Sequence, residues 1–428
     1  MSGGKNTTDP PHAVLDNQVC DTLNLLHENV GLSRAPGYLG INTDSIGTVT
    51  GLIRYLTDSG TEIIIVIDTE KIYSFDTSTG ELSEIYTITT SENRWTYVNS
   101  CGKVWLCNGI DFLSIDEDLN VYPVGLPVPE PSSNGLGPSM LTSGGYLVFG
   151  TYKIYCAYVT TDNVGRKMYS YPLYLGEVTL IEPYENGSLI LYYRNSESAR
   201  VDHIAFFITN PDGEVPYLYY EVENVVSGGD GYFILTSDEY KNELITVSSV
   251  SLSNAVLPIV PDNIYAFDSR IFVWENNSKA IYFSLKSDVN PFDLERFLSA
   301  NFRLMPKSVD SMFSVGSDLF FNHIGNGISV AYFGDMTSVV KHINRQFWFL
   351  DCTTQEGKTN VVYISGMVFG LTNDGFRFFD GAGFSDDISS PIKPEIDRIY
   401  TVISNKVSAC VYRRPGKRTE YRFSYENS

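Results

Sequence analysis

The sequence predicts an all-β fold: a β-propeller with an immunoglobulin- or fibronectin-like β-sandwich inserted into it. Three observations predict it. Apolar and polar residues alternate with a period of two along much of the chain, and helical spacing is scarce. A unit made of an apolar strand, a turn and an alternating aromatic strand recurs, with copies beginning at Ile63, Val104, Tyr146, Ile271, Leu319 and Met367. Within each group of three the spacing is about 40–50 residues, the length of a four-stranded propeller blade. Between the two groups lie longer alternating strands at hairpin spacing, such as Leu189 to Tyr193, His203 to Ile208 and Tyr217 to Val222. That texture is expected of a small sandwich.

Taken in order, residues 1–32 form an N-terminal arm. Its opening, Met1 to Pro11, is rich in Gly, Thr, Asp and Pro without an apolar run, so no signal peptide is expected there. Residues 33–154 are the first part of the propeller, where Ile63 to Ile67 is followed by Lys71 to Phe75 and Val104 to Cys107 by Asp111 to Ile115. The segment Pro127 to Gly135 reads as a Pro/Gly/Ser loop. Residues 155–250 are the inserted sandwich. Residues 251–428 return to the propeller, with Ile271 to Trp274, Leu319 to Phe321 and Met367 to Phe369 as its apolar strands. A short helix is expected at 394–404, because Pro394 suits a first turn and Ile396, Ile399, Tyr400 and Ile403 make one stripe.

With 428 residues and 43% apolar content the chain holds ample core material, while charged residues make up only 19%. Acidic residues number 51 against 30 basic ones, a formal net charge of −21. Nucleic acid and anionic lipid repel such a chain, which excludes a protein that wraps DNA. No run approaches the ~18–20 apolar residues of a membrane span. The six cysteines are scattered, as expected of buried thiols in a reducing compartment.

The residues that carry chemistry are sparse. No metalloprotease, nucleophile-elbow, dithiol or phosphate-loop motif is present, and no catalytic residue, cofactor or metal ligand is assigned. The five histidines stand apart, and His203 and His323 flank apolar strands, as structural histidines do. Asp116 to Asn120 places oxygens at alternate positions but lacks the central Gly and distal Glu of a calcium loop. Asp386 and Asp387 read as turn and cap residues, and Thr372 to Gly375 as a hairpin turn. One feature opposes the acidic background. Arg413, Arg414, Lys417, Arg418 and Arg422 cluster around Pro415 and Gly416, a candidate contact with an acidic neighbouring subunit or with DNA.

The order of several short signatures resembles the tail nozzle proteins (tail tubular protein B, or tail hub) of short-tailed bacteriophages. These signatures are Leu32 to Tyr38, Lys71 to Asp76 with Thr79 to Glu81, and Tyr158 to Gly165. They continue with Tyr282 to Ser284 ahead of Asn290 to Phe292, and end with Gly370 to Gly375 followed by Phe379 to Gly381. The resemblance runs to about Tyr425. Relatives continue past the point where this chain stops at Ser428, which bears on closure of the last blade. It implies a virion structural subunit, made in the host cytoplasm and placed in the tail. Such a subunit forms a homo-oligomeric ring, six-fold in the family, below the portal and adaptor. Its partners are other tail proteins and double-stranded DNA in transit, with no membrane-spanning segment and no enzymatic activity. Two other readings compete: a propeller that binds a host-surface glycan or receptor, and a sialidase-like glycosidase.

Overall fold

A computed structural model describes residues 46–57, 59–181, 187–226, 228–237, 242–253, 257–287, 289–298, 301–331, 341–344, 346–350, 361–364, 366–413 and 419–427. Ahead of residue 46 it describes the strand pieces Gly4–Lys5, Gln18–Val19, Leu25–Glu28 and Gly31–Arg34. Among the described residues the protein is nearly all β, with many antiparallel sheets and a short parallel pairing of Gly4–Lys5 with Gln18–Val19. Contacts divide the chain into two compact units. The first comprises Met1–Val121, Ile259–Tyr282 and Arg303–Ser428; the second comprises Tyr122–Pro258 and Phe283–Phe302.

A four-stranded meander in which each strand pairs with the next in sequence recurs, built mostly from residues of the first unit. The first meander is Gly51–Leu56, Glu62–Ile67, Lys71–Phe75 and Leu82–Thr87. The second is Thr96–Ser100, Lys103–Cys107, Phe112–Ile115 and Val121–Pro123. After the second unit intervenes, a third follows as Asn263–Phe267, Arg270–Trp274, Ala280–Phe283 and Phe302–Leu304. The fourth is Ser311–Val315, Asp318–His323, Gly327–Ala331 and Lys341–Asn344. A three-stranded sheet, Val361–Ile364, Met367–Thr372 and Gly375–Phe379, comes next. It leads to the helix Lys393–Val402 and the hairpin Ile403–Arg413 with Thr419–Asn427.

The apolar strand of each sequence repeat is the second strand of its sheet. Lys103–Cys107, for example, pairs on both sides and is buried on both faces, which is why it reads as a continuous apolar run. The copy at Tyr146 is the exception. Residues 146–149 lie outside any strand, with Tyr146 and Val148 exposed, immediately before the long strand Gly150–Thr161 of the second unit. Neighbouring meanders share cores. Ile53, Ile65 and Ile67 of the first pack with Tyr97, Val104 and Leu106 of the second. Phe313 and Phe320 of the fourth pack with Val368 and Phe379 of the sheet that follows. The opening strands also touch in chain order: Gly51–Leu56 meets Thr96–Ser100, which meets Asn263–Phe267, which meets Ser311–Val315.

Among the described residues the second unit has two sheets. One joins Lys167–Tyr169, Gly150–Thr161, His203–Thr209, Pro216–Glu223 and Asn242–Thr246, with Leu173–Leu180 also paired to Gly150–Thr161. The other joins Ser139–Leu141, Ser188–Arg194 and Asp230–Leu235. Alternation sorts their side chains. Ile154, Cys156 and Tyr158 face a core shared with Leu189, Leu191 and Leu235 of the smaller sheet. Ala157 and Val159 point the opposite way, into a second cluster that includes Val250 of the helix Val247–Ser253. Gly231 is required by close approach, because a Cβ there would lie 2.5 Å from the ring of its cross-strand partner Tyr193.

Candidate functional site

The basic cluster read from the sequence falls on the final hairpin. Its register pairs Arg413 with Thr419 and Cys410 with Arg422, so both arginines lie toward the loop end. Arg414, Lys417 and Arg418 lie outside the described residues.

The other sequence candidates resolve into local structure. The Asp116 carboxylate accepts the backbone N–H groups of Asp118 and Asn120 at 3.0 and 2.9 Å, closing a turn. Asp387 accepts from the Ser389 amide at 2.8 Å, next to the short 3₁₀ turn Ser390–Ile392. Asp374 sits in the hairpin turn before Gly375 and binds Lys393 Nζ at 2.9 Å and Arg377 Nη2 at 3.0 Å. His323 is fully buried, with Nδ1 2.9 Å from the Ser308 carbonyl and Nε2 beside the Ser329 hydroxyl. Among the described residues, no group of three or more His, Cys, Asp or Glu side chains is placed to hold a metal ion. No described helix is long and apolar enough to cross a membrane.

A concave feature with convergent polar groups is a cleft of about 310 Å³ in the second unit. One wall is the segment around Pro127, Val128 and Glu130; the other is Arg194 and the turn that follows it, residues 195–198; Tyr158 also lines it. Local sequence explains each wall. Proline at 127, 129 and 131 keeps the first wall extended and outside the sheets. The second wall is where the strand Ser188–Arg194 ends, and Asn195 fastens the turn by accepting from Val225 N at 3.1 Å and donating to Gly229 O at 2.7 Å.

A single hydroxyl joins the walls. Tyr158 Oη donates to the Arg194 carbonyl at 3.0 Å and also hydrogen-bonds the Glu130 backbone. Burial pushes this phenol up to about 12, partly opposed by the Glu130 hydrogen bond. The Arg194 guanidinium lies 3.3 Å from Glu130 and 3.8 Å from Glu197, whose side chains remain 66% and 75% exposed. Gly228, at φ +67°, leaves room for Glu197: a Cβ there would come 2.4 Å from Glu197 Cγ.

Two anchors fix the proline-rich wall at its ends. Arg200, buried between the rings of Tyr122 and Phe292, donates through Nη1 to the carbonyls of Pro123 and Gly125 at 3.1 and 3.2 Å. Its Nη2 pairs with the buried Glu295 carboxylate, which also accepts the Gly125 amide at 2.9 Å. At the other end, Asp230 accepts from Ser133 N at 2.9 Å, Ser132 Oγ at 3.1 Å and Asn134 Nδ2 at 3.0 Å. Arg200 and Asp230 reach their partners across 75 to 98 residues of chain, so local pattern carried no signal for these anchors.

Tyrosine ionisation gives a measurable consequence. Tyr158 and, in the first unit, Tyr400 are both raised from 10 to about 12, chiefly by burial. A raised folded value favours the protonated form, so this stabilisation is complete below pH 10 and is lost as pH climbs toward about 12. Urea midpoints measured at rising pH are expected to hold up to about 10 and then fall through that window. A midpoint that stays level across it would contradict the buried, neutral phenols.

No protein-family model and no curated protein matches the chain. Solved structures similar to it include a candidate 6-phosphogluconolactonase from Bacteroides uniformis, at 10% identity and a TM-score of 0.29, covering 80% of this chain and 84% of that one. The virginiamycin B lyase of Staphylococcus aureus shares 12% identity at a TM-score of 0.21, over 75% and 91% of the two chains. The computationally designed Ika8 protein shares 9% at 0.25, over 80% and 87%. TM-scores this low carry no argument about fold or chemistry, and the all-β architecture rests on the strand pairings themselves.

Proposed function

We propose that this protein is a structural subunit of a short-tailed bacteriophage tail, a ring component below the portal and adaptor that encloses the path of the departing genome. In this reading the first unit is a β-propeller and the second an inserted immunoglobulin- or fibronectin-like sandwich. The observation that carries it is the order of the opening strands. Asn263–Phe267 takes the place next to Thr96–Ser100 although the second unit intervenes in sequence, so the meanders continue one series around an interruption. Such an order supports the reading of a propeller with a domain spliced between blades.

Charge supports the same role. Each Lys or Arg contact with phosphate adds affinity through counter-ion release, so an acidic conduit lets DNA slide where a basic one would hold it. The basic residues on the last hairpin are then suited to an acidic neighbour in the ring. The role needs shape and symmetric contacts, with no catalysis.

The test is co-expression with the portal and adaptor of the same particle, followed by electron microscopy. A closed ring of this chain around an open axial channel is the expected result, six-fold if the family resemblance holds. Particles that assemble and eject DNA with this chain absent would refute the proposal.

A further inference from the structure

We propose that the cleft between the proline-rich wall and the turn after Arg194 is a binding site for a small, neutral, polyhydroxylated ligand of the saccharide class. The inference concerns the second unit alone and stands whichever role the whole protein has.

Size sets the first limit. At about 310 Å³ the cleft lies at the lower end of the ~300–1,000 Å³ typical of ligand sites, so it suits one or two sugar rings rather than a large cofactor or a folded segment.

Charge selects among small ligands. Arg194 is flanked by Glu130 and Glu197, so an anion drawn to the guanidinium meets two carboxylates. A polyamine drawn to the carboxylates meets the guanidinium. A neutral polyol meets neither conflict, because neighbouring hydroxyls can accept from the guanidinium and donate to the carboxylates at once. The ion pairs leave capacity for this. A guanidinium has five N–H donors, and here its carboxylate contacts are 3.3 and 3.8 Å long, to side chains that are largely solvated. Pro127 and Val128 supply an apolar surface for the C–H face of a ring.

Rigidity makes the site more than a surface dent. Tyr158 Oη ties the two walls together, Arg200 and Asp230 fix the ends of the first wall, and Asn195 fixes the second. The backbone of both walls is therefore formed before a ligand enters, which confines the ordering cost to the Arg194, Glu130 and Glu197 side chains.

The experiment uses the full chain and ligand-observed NMR with glucose, galactose, N-acetylglucosamine and maltose. Inorganic phosphate, N-acetylneuraminic acid and spermidine serve as charged counter-probes. At least one neutral sugar is expected to bind, in the millimolar range. Arg194→Ala is expected to weaken that binding by about tenfold or more, the effect of losing a charged hydrogen bond. Arg194→Lys should not restore it, since an ammonium cannot reproduce the planar fork. Glu197→Gln, at a largely exposed position, is a second variant that keeps the fold if Arg194→Ala does not. Glu177→Gln, exposed on the strand Leu173–Leu180 and outside the cleft lining, is expected to bind as the parent does. Silence from every neutral sugar, preferential binding of a charged probe, or unchanged binding in both Arg194→Ala and Glu197→Gln would each overturn the assignment.

Discussion

Replacing Arg200 with alanine is expected to destabilise the second unit by about 3–5 kcal/mol, the cost of leaving a buried charge without its partner. Glu295 would keep its place in the interior while losing the guanidinium, and the carbonyls of Pro123 and Gly125 would lose their donors. Removing both charges together, as Arg200→Met with Glu295→Leu, is expected to recover much of the loss, because apolar replacements of similar volume spare both desolvation penalties. A probe separates the two units. All four tryptophans, Trp95, Trp105, Trp274 and Trp348, belong to the first unit, whereas tyrosines occur in both. The Arg200→Ala loss should appear in the part of the far-ultraviolet dichroism transition that tryptophan emission does not follow. A single variant as stable as the parent, or a double variant less stable than the single one, would show that the pair does not act as described.

Phe313→Ala is expected to cost a similar ~3–5 kcal/mol, this time in the first unit. Phe313 is fully buried and meets three other rings: Phe320 stacked at 5.5 Å, and Phe349 and Phe379 edge-on at 5.5 and 5.6 Å. Alanine leaves a cavity beside Phe320 and Phe379, which strand pairing holds in place and which cannot collapse into it. Tryptophan emission should report this transition directly, with a lowered urea midpoint and an unchanged slope. Phe313→Leu should cost clearly less, since it retains most of the volume. Equal losses for Leu and Ala would place the effect in ring geometry instead of cavity formation.

The all-β character was legible because burial on both faces leaves a local mark. Ile63 to Ile67, Val104 to Cys107 and Ile271 to Trp274 are runs that only inner strands sustain, and each is the second strand of a meander. Tyr146 to Phe149 shows the limit of that mark. It has the same residue types, yet Tyr146 and Val148 are exposed while Leu147 between them is buried, so the segment is covered on one face only. The expected helix was legible to within a residue or two: it spans Lys393–Val402, and Ile403 already begins a strand. Pro127 to Gly135 read correctly as a loop, but its composition could not reveal that Arg200 fastens Pro123 and Gly125 just ahead of it and that Asp230 fastens its far end. Those partners lie about 75 and 97 residues away. Position in space, unlike periodicity, leaves no trace in a local window.

Arg200 and Glu295 are 95 residues apart, and they lie in the two separate stretches of chain that make up the second unit. On a ribosome working at ~5–20 residues per second, the arginine therefore waits on the order of 5–20 s for its carboxylate to be synthesised. During that interval the nascent domain carries a cation with no counterpart and an uncovered seat where residues 283–302 will dock. Chaperone engagement is expected to concentrate in that window, and a pause in translation just ahead of Glu295 would prolong it.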